Sequence, residues 1–198
     1  MQSAFKFLLN VAVLHAVGQG KLSLEQSVHS LPSDTYKDTF SPLQDMYPAA
    51  NVDVPLRQLP ELWVGHPDNT ANDILLRQMG GTAPVQQYLD SLGLQGIQIR
   101  DSEASMHDDE RRQYRNTGEP ATFVKLLCML AENSLLTHGN TKYLLSIMSS
   151  SPSFPNRICG LLPAGTIVAY KTGTAGYNNN MAAATNDVAL ITLPTGGA

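Results

Sequence analysis

Four short groups of residues in this chain have the types and spacing for nucleophilic chemistry. Ser3-Ala4-Phe5-Lys6 comes first. A helix through it places Ser3 and Lys6 on one face, one turn apart. At a helix start, the positive end of the dipole lowers the cost of an alkoxide. A buried lysine with a depressed pKa can take the serine proton. Lys171-Thr172-Gly173-Thr174 follows a strand-like run. One ammonium and two hydroxyls, with a glycine that lets backbone approach closely, suit a bound carboxylate. Between these lie Pro67-Asp68-Asn69 and Glu103, the latter in the polar segment 101–107. Each group alone has a plain reading: a chance serine-lysine spacing, a helix cap, a solvated glutamate, a strand-end glycine. Their order along the chain is the joint signal.

The elements that must position these groups read as follows. Ser3 to Val17 is apolar on nearly every face, with Phe5, Leu8, Leu9, Val11, Val13 and Leu14, so it predicts a helix buried on all sides. Gly18 and Gly20 stop it. Residues 27–55 are polar, with four prolines at 32, 42, 48 and 55, and predict loop and short helical turns. Pro55 suits the first turn of a helix reading PLRQLPELWV, which Pro60 should kink or shorten. Helices are expected at Asn69–Met79, Pro84–Leu92, Ala121–Asn133 and Thr141–Met148. Residues 94–120 are mixed and polar, and the charged stretch from Asp108 to Arg112 reads as a solvated face. A Ser/Pro loop covers 149–155, and strands are expected at Thr166–Lys171 and Val188–Leu193. A Gly/Asn-rich turn at 176–180 joins those strands. Helices first and a hairpin last predict an α+β fold.

Composition narrows the function classes. The chain has 198 residues, 42% hydrophobic and 15% charged, enough for a real core. Its net charge of −4 argues against nucleic acid or an anionic membrane as partner. Two cysteines, Cys128 and Cys159, exclude a disulfide scaffold and a Cys-rich zinc site, and leave one bridge or two free thiols open. The five histidines, at 15, 29, 66, 107 and 138, have no metal-ligand spacing, so no metal is expected. Met1 to Gly18 has the outline of a secretory signal, but Asn10 and His15 interrupt its apolar run. A helix of the mature protein is the reading preferred here.

In sequence, S-x-x-K, x-D-N, a loop glutamate and K-T-G-T match the signature set of class A β-lactamases and penicillin-binding proteins. The chain resembles a class A serine β-lactamase from Met1 to about Gly197. The stretches MQSAFKFLLNVAVLHAVGQGKLSL, GLLPAGTIVAYKTGTAG and AATNDVALITLP look closest to the PER-type extended-spectrum subgroup. The resemblance implies a three-layer α-β-α fold, with an antiparallel sheet beside an all-helical domain. Residues 1–160 would form the mainly helical domain and 161–198 a remnant of the sheet. Ser3 would be the acylating nucleophile, with Lys6 its base or acting with Glu103 through a water. Glu103 would activate the water that hydrolyses the acyl-enzyme. Asn69 would bind the substrate's acylamino side chain. Lys171, Thr172 and Thr174, with Gly173 in the same motif, would hold the β-lactam carboxylate. Backbone N–H groups of Ser3 and Thr174 would form the oxyanion hole. His107 would replace the usual Asn and order the loop or its water. No cofactor is implied. The substrate would be a small β-lactam, the enzyme a monomer, and the parent protein periplasmic or secreted.

Two departures qualify that picture. Pro67 stands where the family has a serine whose hydroxyl relays a proton to the leaving nitrogen, and proline offers neither side-chain donor nor N–H. It is also expected to displace Asn69. The chain starts two residues before the nucleophile and runs only to a fourth strand. It therefore reads as a partial sequence of a longer secreted enzyme, inactive by itself. Two other classes remain. A penicillin-binding transpeptidase or carboxypeptidase should lack a deacylating glutamate. A non-turnover penicillin-binding sensor or inactive paralogue is favoured by Pro67.

Overall fold

The computed structural model describes residues 1–65, 67–150, 157–178 and 180–194. His66, most of the expected loop at 149–155, Asn179 of the expected turn and the last four residues lie outside the described residues.

A 3₁₀ turn, Gln2–Ala4, runs into helix α1, Phe5–Gly18. Every residue from Phe5 to Leu14 is buried, as the all-round apolar pattern requires. Asn10 is tolerated there because its side-chain amide donates to the Lys6 carbonyl at 2.8 Å. Strand β1 (Ser27–Ser30), helix α2 (Pro42–Met46), strand β2 (Val52–Pro55) and helix α3 (Gln58–Gly65) follow. Next come helices α4 (Asn69–Gln78) and α5 (Thr82–Ser91). Strands β3 (Ile97–Gln98) and β4 (Thr117–Gly118) pair and close off a loop carrying helix α6 (Glu103–Asp108). Helices α7 (Pro120–Ala131) and α8 (His138–Ser149) lead to strand β5 (Val168–Thr174). A small ladder of β6 (Tyr177–Asn178) and β7 (Met181–Ala182) precedes β8 (Thr185–Ile191). The fold is α+β. α1 is its axis, packed by α4, α5 and α8; α8 and the opening 3₁₀ turn in turn contact β5.

Three differences from expectation have simple causes. The polar stretch 27–55 contains an antiparallel pair, β1 with β2, in which buried Val28 faces buried Val54. One buried valine per strand is too little apolar pattern to show in a sequence. α3 begins at Gln58, so Pro60 falls in the first turn, where its missing N–H has no partner to lose. Pro55 ends β2 instead of starting a helix. β5 extends to Thr174, so the whole K-T-G-T motif is strand, with Lys171 opposite Val188 and Gly173 opposite Asn186. Cys128 and Cys159 are free thiols.

Candidate active site

The site is assembled by one face of α4. Asp68 caps this helix, accepting from the Ala71 N–H at 2.8 Å. Its carboxylate also accepts from the Ser41 hydroxyl at 2.9 Å and the Leu43 N–H at 2.6 Å, which ties α2 to the same point. Asn69, Asp73 and Arg77 then recur every fourth residue and share one side of the helix. Each holds a different segment. Asn69 Oδ1 accepts from Lys6 Nζ at 2.5 Å, and its Nδ2 donates to Thr39 Oγ1 at 3.0 Å. Asp73 accepts from the N–H groups of Glu103 and Ala104, at 2.9 and 2.7 Å, in the first turn of α6. Arg77 forks onto the Asp34 carboxylate at 3.2 and 2.9 Å and donates to the His29 carbonyl at 2.8 Å.

These contacts bring Lys6 and Glu103 together. Lys6 Nζ lies 2.9 Å from Glu103 Oε1, with the lysine side chain fully buried and the glutamate 12% exposed. The ammonium also reaches the Asp68 carbonyl at 3.5 Å. A fully buried ammonium needs such a set of acceptors, one of them charged. Ser3 sits on the 3₁₀ turn just ahead, partly exposed, one turn from Lys6. A serine one turn ahead of a buried lysine–carboxylate pair has the spacing that a general-base-activated nucleophile needs. Burial raises the Asp73 carboxyl to about 6; its bond from the Ala104 N–H works against this and the Glu103 charge adds to it.

The second motif lies across from the first. The 3₁₀ turn carrying Ser3 packs on β5. A Cβ on Gly173 would lie 2.6 Å from the Met1 carbonyl oxygen and closer still to Asn186, so only glycine allows this approach. Lys171 is 4% exposed and donates to the Thr172 carbonyl at 2.7 Å. Burial, and secondly the Lys6 charge, lower its ammonium to about 7. Arg157 braces the motif, donating to the carbonyls of Gly173 (3.1 Å) and Asn186 (2.6 Å) and to Thr174 Oγ1 (2.7 Å). A cleft of about 290 Å³ opens between Gln2, Thr39, Phe40, Asn69, Glu103 and His107. A larger hollow of about 570 Å³ lies between α7 and β8, against Met1, Phe123 and Val188, and holds no nucleophile–base pair.

The structure thus gathers Lys6, Asn69 and Glu103, with Ser3 on the turn just before Lys6 and that turn packed on the strand carrying Lys171 to Thr174. Pro67 is partly buried at the entry to α4, and Asn69 two residues on accepts from Lys6. His107 lies at the rim of the cleft, its ring against Tyr36, and Nδ1 is 3.9 Å from Asp108. Sequence reading missed Asp73, Arg77 and Arg157. The first two share the period of Asn69 on α4, which is a legible signal; Arg157 has none.

Two lysine motifs joined by a helix-borne Asp-Asn pair and a loop glutamate define a class. The chain matches the beta-lactamase enzyme family over residues 1–198 and belongs to it. It is 40% identical to beta-lactamase VEB-1 of Pseudomonas aeruginosa, covering 99% of this chain and 66% of that protein. It is 38% identical to the extended-spectrum beta-lactamase PER-1 of the same organism, over 99% of this chain and 64% of that one. The chain therefore spans about two thirds of the length of these relatives. The crystal structure of TLA-3 extended-spectrum beta-lactamase superposes with a TM-score of 0.94 at 38% identity, over 99% of this chain and 72% of that chain. Among the described residues, no helix is long and apolar enough to cross a membrane.

Proposed function

We propose that the protein hydrolyses the β-lactam ring of penicillins and cephalosporins through an acyl-enzyme on Ser3, and so confers antibiotic resistance. The observation that carries this is the buried Lys6–Glu103 pair at 2.9 Å, with Asn69 bonded to the same lysine and Ser3 on the turn just ahead of it. Glu103 through a water, or Lys6 once it has handed its own proton to Glu103, takes the Ser3 Oγ proton as Oγ bonds to the lactam carbonyl carbon. The N–H groups of Ser3 and Thr174 stabilise the oxyanion. The C–N bond then breaks and its electron pair leaves with the nitrogen, which takes up the proton drawn from Ser3, passed on from Lys6 or Glu103 through a water because Pro67 has no donor. Glu103 next removes a proton from a water whose oxygen attacks the ester; the C–Oγ bond breaks and Ser3 recovers its proton. Lys171, Thr172 and Thr174 hold the substrate carboxylate, Asn69 its acylamino group, and His107 steadies the Glu103 loop.

In this reading residues 1–160 act as the helical domain and 161–198 as part of the sheet domain. No step calls for a second copy, so the enzyme works as a monomer. A secreted or periplasmic parent fits the role. The test is loss of lactam absorbance when the protein meets a penicillin or a cephalosporin. Turnover abolished by Ser3→Ala supports the reading, and turnover that survives Ser3→Ala contradicts it. Pro67 favours a second reading, a penicillin-binding sensor that acylates without turnover. A stable adduct with no product would select that reading.

A further inference from the structure

We propose that Tyr36 is a positioning residue for Glu103, acting through the imidazole of His107. Helix α6 has only six residues, too few to hold its own shape in water. Its first turn is fastened by Asp73. Near its other end His107 stands at the cleft rim, its ring centroid 5.1 Å from that of Tyr36 and inclined by 54°. This is ordinary geometry for a favourable aromatic pair.

Tyr36 can act as a fixed stop because its own segment is anchored on both sides. On one side Asp34 is gripped by Arg77. On the other the Phe40 carbonyl accepts from the Asn69 N–H at 3.1 Å and Ser41 donates to Asp68. All these anchors belong to α4 or its cap, as does Asp73. α6 is therefore held at two points by parts of one rigid frame, Asp73 directly and Tyr36 through a strap. The phenol is buried near Asp73, Glu103 and Asp68, and burial first, then the Asp73 charge, keep it protonated. It therefore adds no charge beside the Lys6–Glu103 pair. Without the ring, α6 pivots on Asp73 and Glu103 loses its fixed distance from Lys6. Misplacing such a group by about 1 Å costs about a hundredfold in rate.

The catalytic half of this inference rests on the proposed hydrolysis; the structural half does not. The experiment therefore has two readouts on the wild type, Tyr36→Leu, Tyr36→Phe, His107→Ala and the Leu/Ala double variant. One is backbone amide exchange at residues 103–108. The other is the acylation and deacylation rate with a penicillin, followed by intact mass. Tyr36→Leu is expected to speed exchange at Glu103 and Ala104 and to slow deacylation about tenfold or more, with acylation changed less than about twofold. Tyr36→Phe, which keeps the ring, restores both. In the His107→Ala background, Tyr36→Leu adds nothing. Unchanged exchange in Tyr36→Leu, or a full Tyr36→Leu effect without the imidazole, overturns the proposal. If Tyr36→Leu does not fold, His107→Ala alone must raise the same exchange, and failure to do so overturns it equally. A wild type that never acylates defeats the proposed hydrolysis, while the exchange readout still tests the contact.

Discussion

Lys6 and Lys171 are both buried lysines in short motifs, and their surroundings differ in kind. Lys6 stands inside a helix within the packed core, paired with a carboxylate and an amide oxygen. Lys171 stands in a two-stranded ladder, donates to a backbone carbonyl, and is lowered to about 7 by burial first and the Lys6 charge second. A lysine locked to a carboxylate is suited to handling protons at a fixed place. A lysine poised near neutrality is suited to receiving an anion that restores its charge. The two regions differ in the same sense. Around Lys6 every residue from Phe5 to Leu14 is buried. Around the β5–β8 ladder, Ile167 is 59% and Leu193 51% exposed.

The sharpest way to separate the two lysines is through their partners. Glu103→Gln removes the base while leaving Ser3 and Lys171 in place. Deacylation is expected to fall about 10²- to 10⁴-fold, with acyl-enzyme accumulating in intact-mass spectra. Equal loss of both steps would place Glu103 in acylation as well as deacylation, or in folding. The next largest effect concerns stability. Leu8→Ala on α1 should cost about 2–5 kcal/mol in urea unfolding, because its pocket is closed on all sides. Val188→Ala on β8, buried but lining the hollow beside α7, should cost about 1 kcal/mol. Equal costs would erase the distinction between core and ladder.

Pro67→Ser should raise the acylation rate about tenfold or more by supplying a hydroxyl where the leaving nitrogen needs a proton. Single-turnover kinetics measure this, and an unchanged rate would mean another group already delivers that proton. The smallest effect is a pH dependence. Lys171 binds fewer protons folded than unfolded between about 7 and its ordinary 10.5. Its contribution to stability therefore rises with pH across that window. Its grip on a carboxylate weakens over the same range as the ammonium is lost. KM should climb above pH 7 with little change in kcat. Lys171→Arg, always charged, should flatten that rise.

Much of this arrangement was legible before the structure. The apolar run from Phe5 to Leu14 favoured a buried helix over a secretory signal, and S-x-x-K placed Ser3 and Lys6 at its start. The capping role of Asp68 followed from residue type. What escaped were contacts between polar residues far apart in sequence. Nothing near Asp73 announces that it holds Glu103, thirty positions on. Tyr36 and His107 meet only because Arg77 and Asp68 anchor the strap between them. Arg157 reaches Thr174 across a turn whose path no local pattern encodes. Such bonds depend on tertiary position, and residue type alone does not carry it.

The measurement to make first is an intact-mass time course of the protein with a penicillin. An adduct on Ser3 that appears and then decays, absent in Ser3→Ala, is the predicted result. No adduct at any time, or the same adduct in Ser3→Ala, would contradict the assignment of Ser3 as the nucleophile.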